Sequence, residues 1–307
     1  MNRTYRAGLI GCGRIGAGIS DAGSSRIRPH AEAYRKSSRI RLVAACDTDP
    51  VRLRRAADQW RIPAAYTDFR AMLEREKLDL LSIASPTPTH APMLAAAASQ
   101  RGLLGILLEK PAAGSAEQAR ELVKRMADSS VVVSLHYGRR FCPVYRRWAQ
   151  AGSGGALGEI RHARGIYTGG MKNNGTHLLD LLRWFLEKQQ GARVSVEACA
   201  SSAYNLFELD LVGTEGRLRF TDLGHRLEYF KIQPRRGLAF RQLEARPHAL
   251  ATGLADSVRF ALKNLVDTLE GKGTVHCTLE DGLRALEWAD RLESRVEEGD
   301  LRAIQNV

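Results

Sequence analysis

Two short stretches carry residues whose types and spacing can do chemistry. The first is GLIGCGRIG at residues 8–16, which sets Gly11, Gly13 and Gly16 in G-x-G-x-x-G spacing. That spacing allows a tight turn, close approach of a pyrophosphate, and close packing of a helix on a strand, with helix-end amides as anion donors. An ordinary strand-to-helix turn can show the same glycines. Here an apolar strand feeds the motif and RIGAGIS can open a helix behind it, which favours a dinucleotide. Arg14 and Ile15, between the glycines, are taken as part of the same cradle.

The cradle calls for an acidic residue at the end of the second strand, about 20 residues on, to hold a ribose hydroxyl. Asp47 ends RLVAACD but lies 31 positions past Gly16. The stretch DAGSSRIRP at 21–29 accounts for the excess, as an insert of turn residues that splits the crossover helix before HAEAYRK resumes it. A carboxylate at Asp47 repels a 2′-phosphate, so NAD is expected rather than NADP. Arg52 and neighbouring arginines are the opposing feature.

The second stretch is Glu109-Lys110-Pro111, at the carboxyl end of a predicted strand. Ligands of open α/β sheets bind outside strand carboxyl ends. A lysine in that place, partly buried beside a cationic ring, has its pKa lowered toward neutrality and can move a proton. A lysine before proline is more often a solvated surface group, and it is the strand-end position that decides for chemistry.

The elements that must hold these residues can be read along the chain. RAGLI, RLVAACD, DLLSIAS, GILLEK and VVVSLH are apolar runs with little alternation, as in parallel strands covered on both faces. Asp49-Pro50 signals one helix start, and Ser115 with Gln118 another. The expected fold is α/β, with an N-terminal Rossmann doubly wound parallel sheet over residues 1–135. An α+β domain with a mostly antiparallel sheet follows over 136–307. It carries strand-like runs at 192–200, 205–213, 216–222 and 226–233 and helices near 176–188, 255–270 and 279–297. The last two helices are candidates to pack back on the first domain.

Composition narrows the class. The 307 residues carry a formal net charge of +12, mostly arginine interleaved with acids along helices, which reads as a solvated face that attracts small anions rather than as a nucleic-acid patch. There is no long uncharged apolar run for a membrane span. No secretory leader is read at the start, and a cytoplasmic protein is expected. Five scattered cysteines without a C-x-x-C pair suggest reduced thiols and no structural zinc. No tyrosine has a lysine four positions on, so the proton-transfer pair of short-chain dehydrogenases is missing.

Taken in order, GLIGCGRIG, SPTPTH at 85–90, EKP at 109–111, HYGRRF at 136–141 and NNGTHLLDLLRW at 173–184 resemble the Gfo/Idh/MocA family of oxidoreductases over nearly the whole chain. The resemblance implies an NAD(P)-dependent oxidoreductase acting on a secondary hydroxyl of a sugar or sugar derivative. In that role Lys110 would exchange the hydroxyl proton, His177 would be the second proton-handling group, and no metal would be needed. Glu109 would contact the nicotinamide ribose, Ser85, Pro86, Thr87 and His90 would line the cofactor, and His136 would lie near the nicotinamide. The Lys110–Pro111 bond would be cis. Asp180, one turn beyond His177, would orient it or anchor the helix, while Tyr167 and Thr176 would border the substrate and Arg140 would either meet a substrate anion or make a domain-linking salt bridge.

The chain has Asn173 where many members place an aspartate, which throws the proton work onto Lys110 and His177 and turns the reading from polyols toward surface-polysaccharide sugars, including nucleotide sugars. Alternatives are an inositol or cyclitol dehydrogenase, and an NAD-binding sensor or glycosidase without net redox turnover. A homo-oligomer paired through the exposed sheet face is expected.

Overall fold

A computed structural model describes residues 3–20, 25–151, 155–199, 203–234 and 239–297. The chain divides into two compact units, Met1–Phe141 with Ala255–Arg284, and Cys142–Leu254 with Ala285–Val307. The first unit thus runs past the expected boundary at 135 and reclaims a C-terminal stretch. Part of the reason is local: Arg140 in the 3₁₀ turn Gly138–Phe141 is buried against Asp281, 3.3 Å away, and Gly138 packs on Ser257.

In the first unit, strands β1 (Tyr5–Ile10), β2 (Ile40–Cys46), β3 (Ala64–Tyr66), β4 (Leu80–Ile83), β5 (Gly105–Glu109) and β6 (Val132–His136) form one all-parallel sheet in the order β3-β2-β1-β4-β5-β6. This is the doubly wound order, with the change of winding direction between β1 and β4. β4 and most of β5 are wholly buried, as the unbroken apolar runs require. β3 was not foreseen, because it is three residues long and two of them are alanines.

The helices begin where their capping chemistry says. Asp49 accepts from the amides of Val51 and Arg52 at the head of α2 (Pro50–Trp60). Ser115 accepts from Gln118 ahead of the helix Ala116–Met126. Such caps contribute about 1 kcal/mol each.

The crossover after β1 departs from expectation. RIGAGIS opens a single turn, with the amides of Ala17 and Gly18 both on the Gly13 carbonyl, and the first helix of the chain, α1, begins only at His30 and runs to Arg35. Yet the ladder does not end at the gap: the amide of His30 donates to the Ile15 carbonyl at 3.0 Å and that of Ala31 to Gly16 at 2.9 Å. Ile15 and His30 are fifteen positions apart where an unbroken α-helix needs four, an excess of eleven. Asp47 overshoots the motif spacing by the same amount. The helix continues in space and the chain makes an excursion out of it. Part of that excursion, 21–24, lies outside the described residues. Its start is held by Ile19, buried in the cluster of Leu9, Ala45 and Leu53, and by the Trp60 indole donating to the Ala17 carbonyl. At its far end the Arg28 amide donates to the Ala255 carbonyl, and its guanidinium pairs with Asp256.

The second unit holds a mixed sheet in the order β12-β11-β10-β9-β7-β8, with β13 also on β11. Its strands are β7 (Ile160–Tyr167), β8 (Arg193–Ala198), β9 (Phe207–Gly213), β10 (Gly216–Thr221), β11 (Arg226–Gln233), β12 (Gln242–Leu243) and β13 (His248–Ala251). All pairings are antiparallel except β7 with β8, which the helix Thr176–Leu186 connects as a crossover. That helix lays Leu178 against the bare backbone of Gly165 in β7, and Phe185 meets Phe220, which stacks on Tyr145 at 4.2 Å between ring centres. The opposite sheet face carries cross-strand ion pairs, among them Arg164–Glu197 and Arg217–Asp210. Among the described residues no helix is long and apolar enough to cross a membrane.

The tightest steric point is Gly16, where an added Cβ would fall 1.8 Å from the Gly11 carbonyl oxygen. Backbone cannot yield as a side chain can, so Gly16→Ala is expected to destabilise by at least about 3 kcal/mol, at or beyond the upper end of ordinary overpacking. Urea unfolding measures it, and a midpoint equal to that of the parent protein would contradict the packing described.

Candidate active site

The carboxyl edge of the first sheet gathers the predicted cofactor residues of this unit. Gly11 leaves β1 at φ +91°, and a Cβ there would strike the Ala84 carbonyl oxygen at 2.6 Å. Gly16 has no room for a side chain, whereas nothing lies within 4 Å of a Cβ at Gly13. The three glycines therefore divide the labour the motif requires. Two close the turn on β4 and on itself, and the middle one leaves an open face of backbone for a ligand. Arg14 is exposed and Ile15 half-buried on that turn.

Asp47 follows β2 and is buried. One carboxylate oxygen accepts from the Cys12 amide at 2.7 Å, inside the glycine turn, and the other from the Asp49 amide at 3.0 Å. Arg52 lies 3.1 Å from the same carboxylate. The predicted ribose ligand is thus also a brace of the cradle, and its charge is partly matched by Arg52.

Ser85 and Thr87 are half-buried and Pro86 exposed, in the loop after β4. His90 is different. It is 1% exposed, with Nδ1 2.9 Å from the Pro111 carbonyl oxygen and Nε2 2.9 Å from that of Ser85. The imidazole ties the SPT loop to the EKP turn, with both ring nitrogens occupied by carbonyls of those two segments. The Lys110–Pro111 bond is cis.

Lys110 ends the β5 edge, half-buried. Burial lowers its amine below the ordinary value and Arg139 adds to the lowering, while Glu109 acts the other way. Glu109 does not lie free for a ribose as expected. Its Oε1 accepts from His136 Nδ1 at 2.7 Å and from His30 Nε2 at 2.9 Å. Burial pushes this carboxyl up, but the charge of His136 and the hydrogen bonds from both imidazoles prevail, and Glu109 is held well below the usual carboxylate range. Burial lowers His30, which is fully enclosed.

Neither His30 nor its partners Ser82 and Tyr34 was singled out from the sequence. A histidine at the head of an amphipathic helix gave no sign that it faces a strand end. The three facing atoms of His30, Glu109 and His136 lie within 4.8 Å of one another. Glu109 Oε1 lies at hydrogen-bond distance from each imidazole.

Arg140, expected to meet a substrate, is 5% exposed and paired with Asp281. In the second unit Tyr167, Thr176 and Asp180 are likewise buried at 1% or less, so they shape the loop rather than line a surface. The Thr176 hydroxyl donates to the Asn173 carbonyl at 3.1 Å, and Asp180 faces Arg183 at 3.9 Å. Gly169 and Gly170, each at φ +86°, lead into a π turn, Met171–Gly175, in which Lys172 reaches Asp290 and Glu293. π turns are rare and recur at functional sites. Asn173 on this turn is exposed and His177 half-buried, so these two of the predicted residues of this unit remain accessible.

Residues 5–137 match the family described as an oxidoreductase family with an NAD-binding Rossmann fold. D-apiose dehydrogenase of Paraburkholderia graminis is 29% identical over 199 residues, 59% of this chain and 50% of that protein. Inositol 2-dehydrogenase of Rhizobium meliloti is 30% identical over 157 residues, 51% of this chain and 43% of that protein. The chain spans about half the length of the curated relatives it matches. In fold, it is similar to an NAD-binding oxidoreductase from Klebsiella pneumoniae, with a TM-score of 0.79, 19% identity and 99% of each chain covered.

His30 and Glu109 both sit below their ordinary values, so the unfolded chain binds more protons than the folded one as pH falls, and stability falls with it. The His30 part is complete above the ordinary imidazole value of 6.5 and is lost below it, and the Glu109 part is lost below 4.5. Thermal unfolding between about pH 8 and pH 4 should show a melting temperature that drops from about pH 6.5 downward, with His30→Gln removing the upper part of that drop.

Proposed function

We propose that the chain, whose residues 5–137 match the Gfo/Idh/MocA oxidoreductase family, is an NAD-dependent dehydrogenase of a secondary hydroxyl on a sugar or cyclitol. The observation that carries the reading is Lys110, a desolvated amine at the end of β5, on the same strand-end edge as the glycine turn after β1. The open backbone at Gly13 and the closed packing at Gly11 and Gly16 fit a bound dinucleotide. When bound, the nicotinamide supplies the hydride acceptor or donor.

The protein's part is proton transfer and orientation. In oxidation Lys110 takes the hydroxyl proton as an amine, and in reduction it returns it as an ammonium. Burial favours the amine form, because an ammonium there lacks the water that would stabilise it. His177 is the second group, orienting the hydroxyl, and Asn173 is a hydroxyl ligand that cannot take a proton. Asp47 is the ribose ligand that favours NAD over NADP. The names of the relatives, one acting on apiose and one on inositol, support sugar-like polyols as the first substrates to try, ahead of nucleotide sugars. Two copies are proposed to associate through the open sheet face of the second unit.

A panel of free sugars, cyclitols and nucleotide sugars, scored by absorbance of reduced nicotinamide, tests the reading. With a substrate in hand, Lys110→Ala should keep dinucleotide affinity and lose turnover by about 10²–10⁴-fold. Retained turnover would take Lys110 out of the reaction. Asp47→Asn should weaken NAD about tenfold more than NADP, the scale of one charge-assisted hydrogen bond. Equal weakening of both would assign Asp47 to bracing the turn alone.

A further inference from the structure

The contacts of Glu109 extend beyond its two histidines. His30 Nδ1 lies 2.9 Å from Ser82 Oγ, and Ser82 Oγ lies 2.6 Å from the Tyr34 hydroxyl. Tyr34, Ser82, His30, Glu109 and His136 form one unbroken chain of hydrogen bonds drawn from α1, β4, β5 and β6. His30, Tyr34 and Ser82 are fully or almost fully enclosed, and His136 is 5% exposed.

The donor inventory gives this chain a direction. An ionised Glu109 only accepts, so both imidazole nitrogens facing it donate. Burial keeps His30 neutral, so its Nδ1 is an acceptor and the Ser82 hydroxyl donates to it. The Ser82 oxygen then accepts from Tyr34, whose burial likewise holds it protonated by raising its pKa. Every donor points toward Glu109. Aligned hydrogen bonds in a low-dielectric interior polarise one another, and they fix the charge at the end they point to.

We propose that Tyr34, Ser82, His30 and His136 are positioning residues that hold the Glu109 carboxylate ionised and fixed beside Lys110, so that a protein charge, rather than a ribose contact, is the business of Glu109. The proposal rests on the reading of Lys110 as the proton-transfer group. The adjacent amine feels two opposed influences, burial and this carboxylate. Burial and Arg139 both lower it, and the Glu109 carboxylate opposes them. Among the described residues, Glu109 and Arg139 act on the amine directly, His136 on β6 and His30 on α1 face Glu109, and His90 holds the carbonyl of Pro111. The relay lets Lys110 hold a proton in one half of the reaction and release it in the other.

The test reads Lys110 directly, whether or not a substrate is known. Trace acetylation of the whole protein with acetic anhydride across pH, with mass spectrometry of the Lys110 peptide, gives the titration midpoint of that amine. Glu109→Gln should lower the midpoint by about one unit or more, the size expected for losing one close opposite charge. His30→Ala, which strips one donor from Glu109, and Ser82→Ala, which breaks the chain behind it, should lower it by smaller steps in that order. An unmoved or raised midpoint in a folded Glu109→Gln or His30→Ala protein overturns the proposal. If Glu109→Gln does not fold, His30→Ala and Ser82→Ala decide by the same readout. Full turnover in Lys110→Ala would instead defeat the dehydrogenase role of the lysine, while the acetylation midpoints would still decide the relay.

Discussion

A carboxylate buried between two imidazoles is the interaction on which the strand-end edge of the first unit depends. An unpartnered charge at Glu109 would be strongly unfavourable in that interior, and one hydrogen bond would not offset its lost hydration. Two imidazole donors do, and they come from elements far apart in sequence, His30 from α1 and His136 from the end of β6. Holding the charge therefore holds the elements: α1 is tied to the end of β5, and β5 and β6 are joined at their tips. His90 does similar work with main-chain partners, tying the loop after β4 to the turn after Lys110.

The glycine turn is the steric counterpart of that electrostatic arrangement. Its outer glycines are fixed by what surrounds them, and its middle glycine by what must be able to approach. Asp47 joins the two, since one of its oxygens steadies the Cys12 amide within the turn while the carboxylate stands at the strand tip where a ribose would reach it. Arg52 tempers its charge from 3.1 Å away.

Much of this was legible because the signals were local. Buried parallel strands announce themselves by unbroken apolar runs, capping residues by their chemistry, and the cradle by its spacing. What was not legible is long-range pairing. Nothing beside His30 in the sequence hints at Glu109, 79 residues on. Nor does the sequence around His90 say that both its nitrogens meet carbonyls. Arg140 could be read toward a substrate because its partner Asp281 belongs to a helix much farther along the chain. β3 escaped for a different reason, being too short for any periodicity to show.

The interrupted crossover carries a consequence of its own. Because amides of His30 and Ala31 close onto Ile15 and Gly16, the cradle does not sense how much chain lies between them. The register of the helix behind the glycine turn is thus set by two amide contacts across the break rather than by chain continuity.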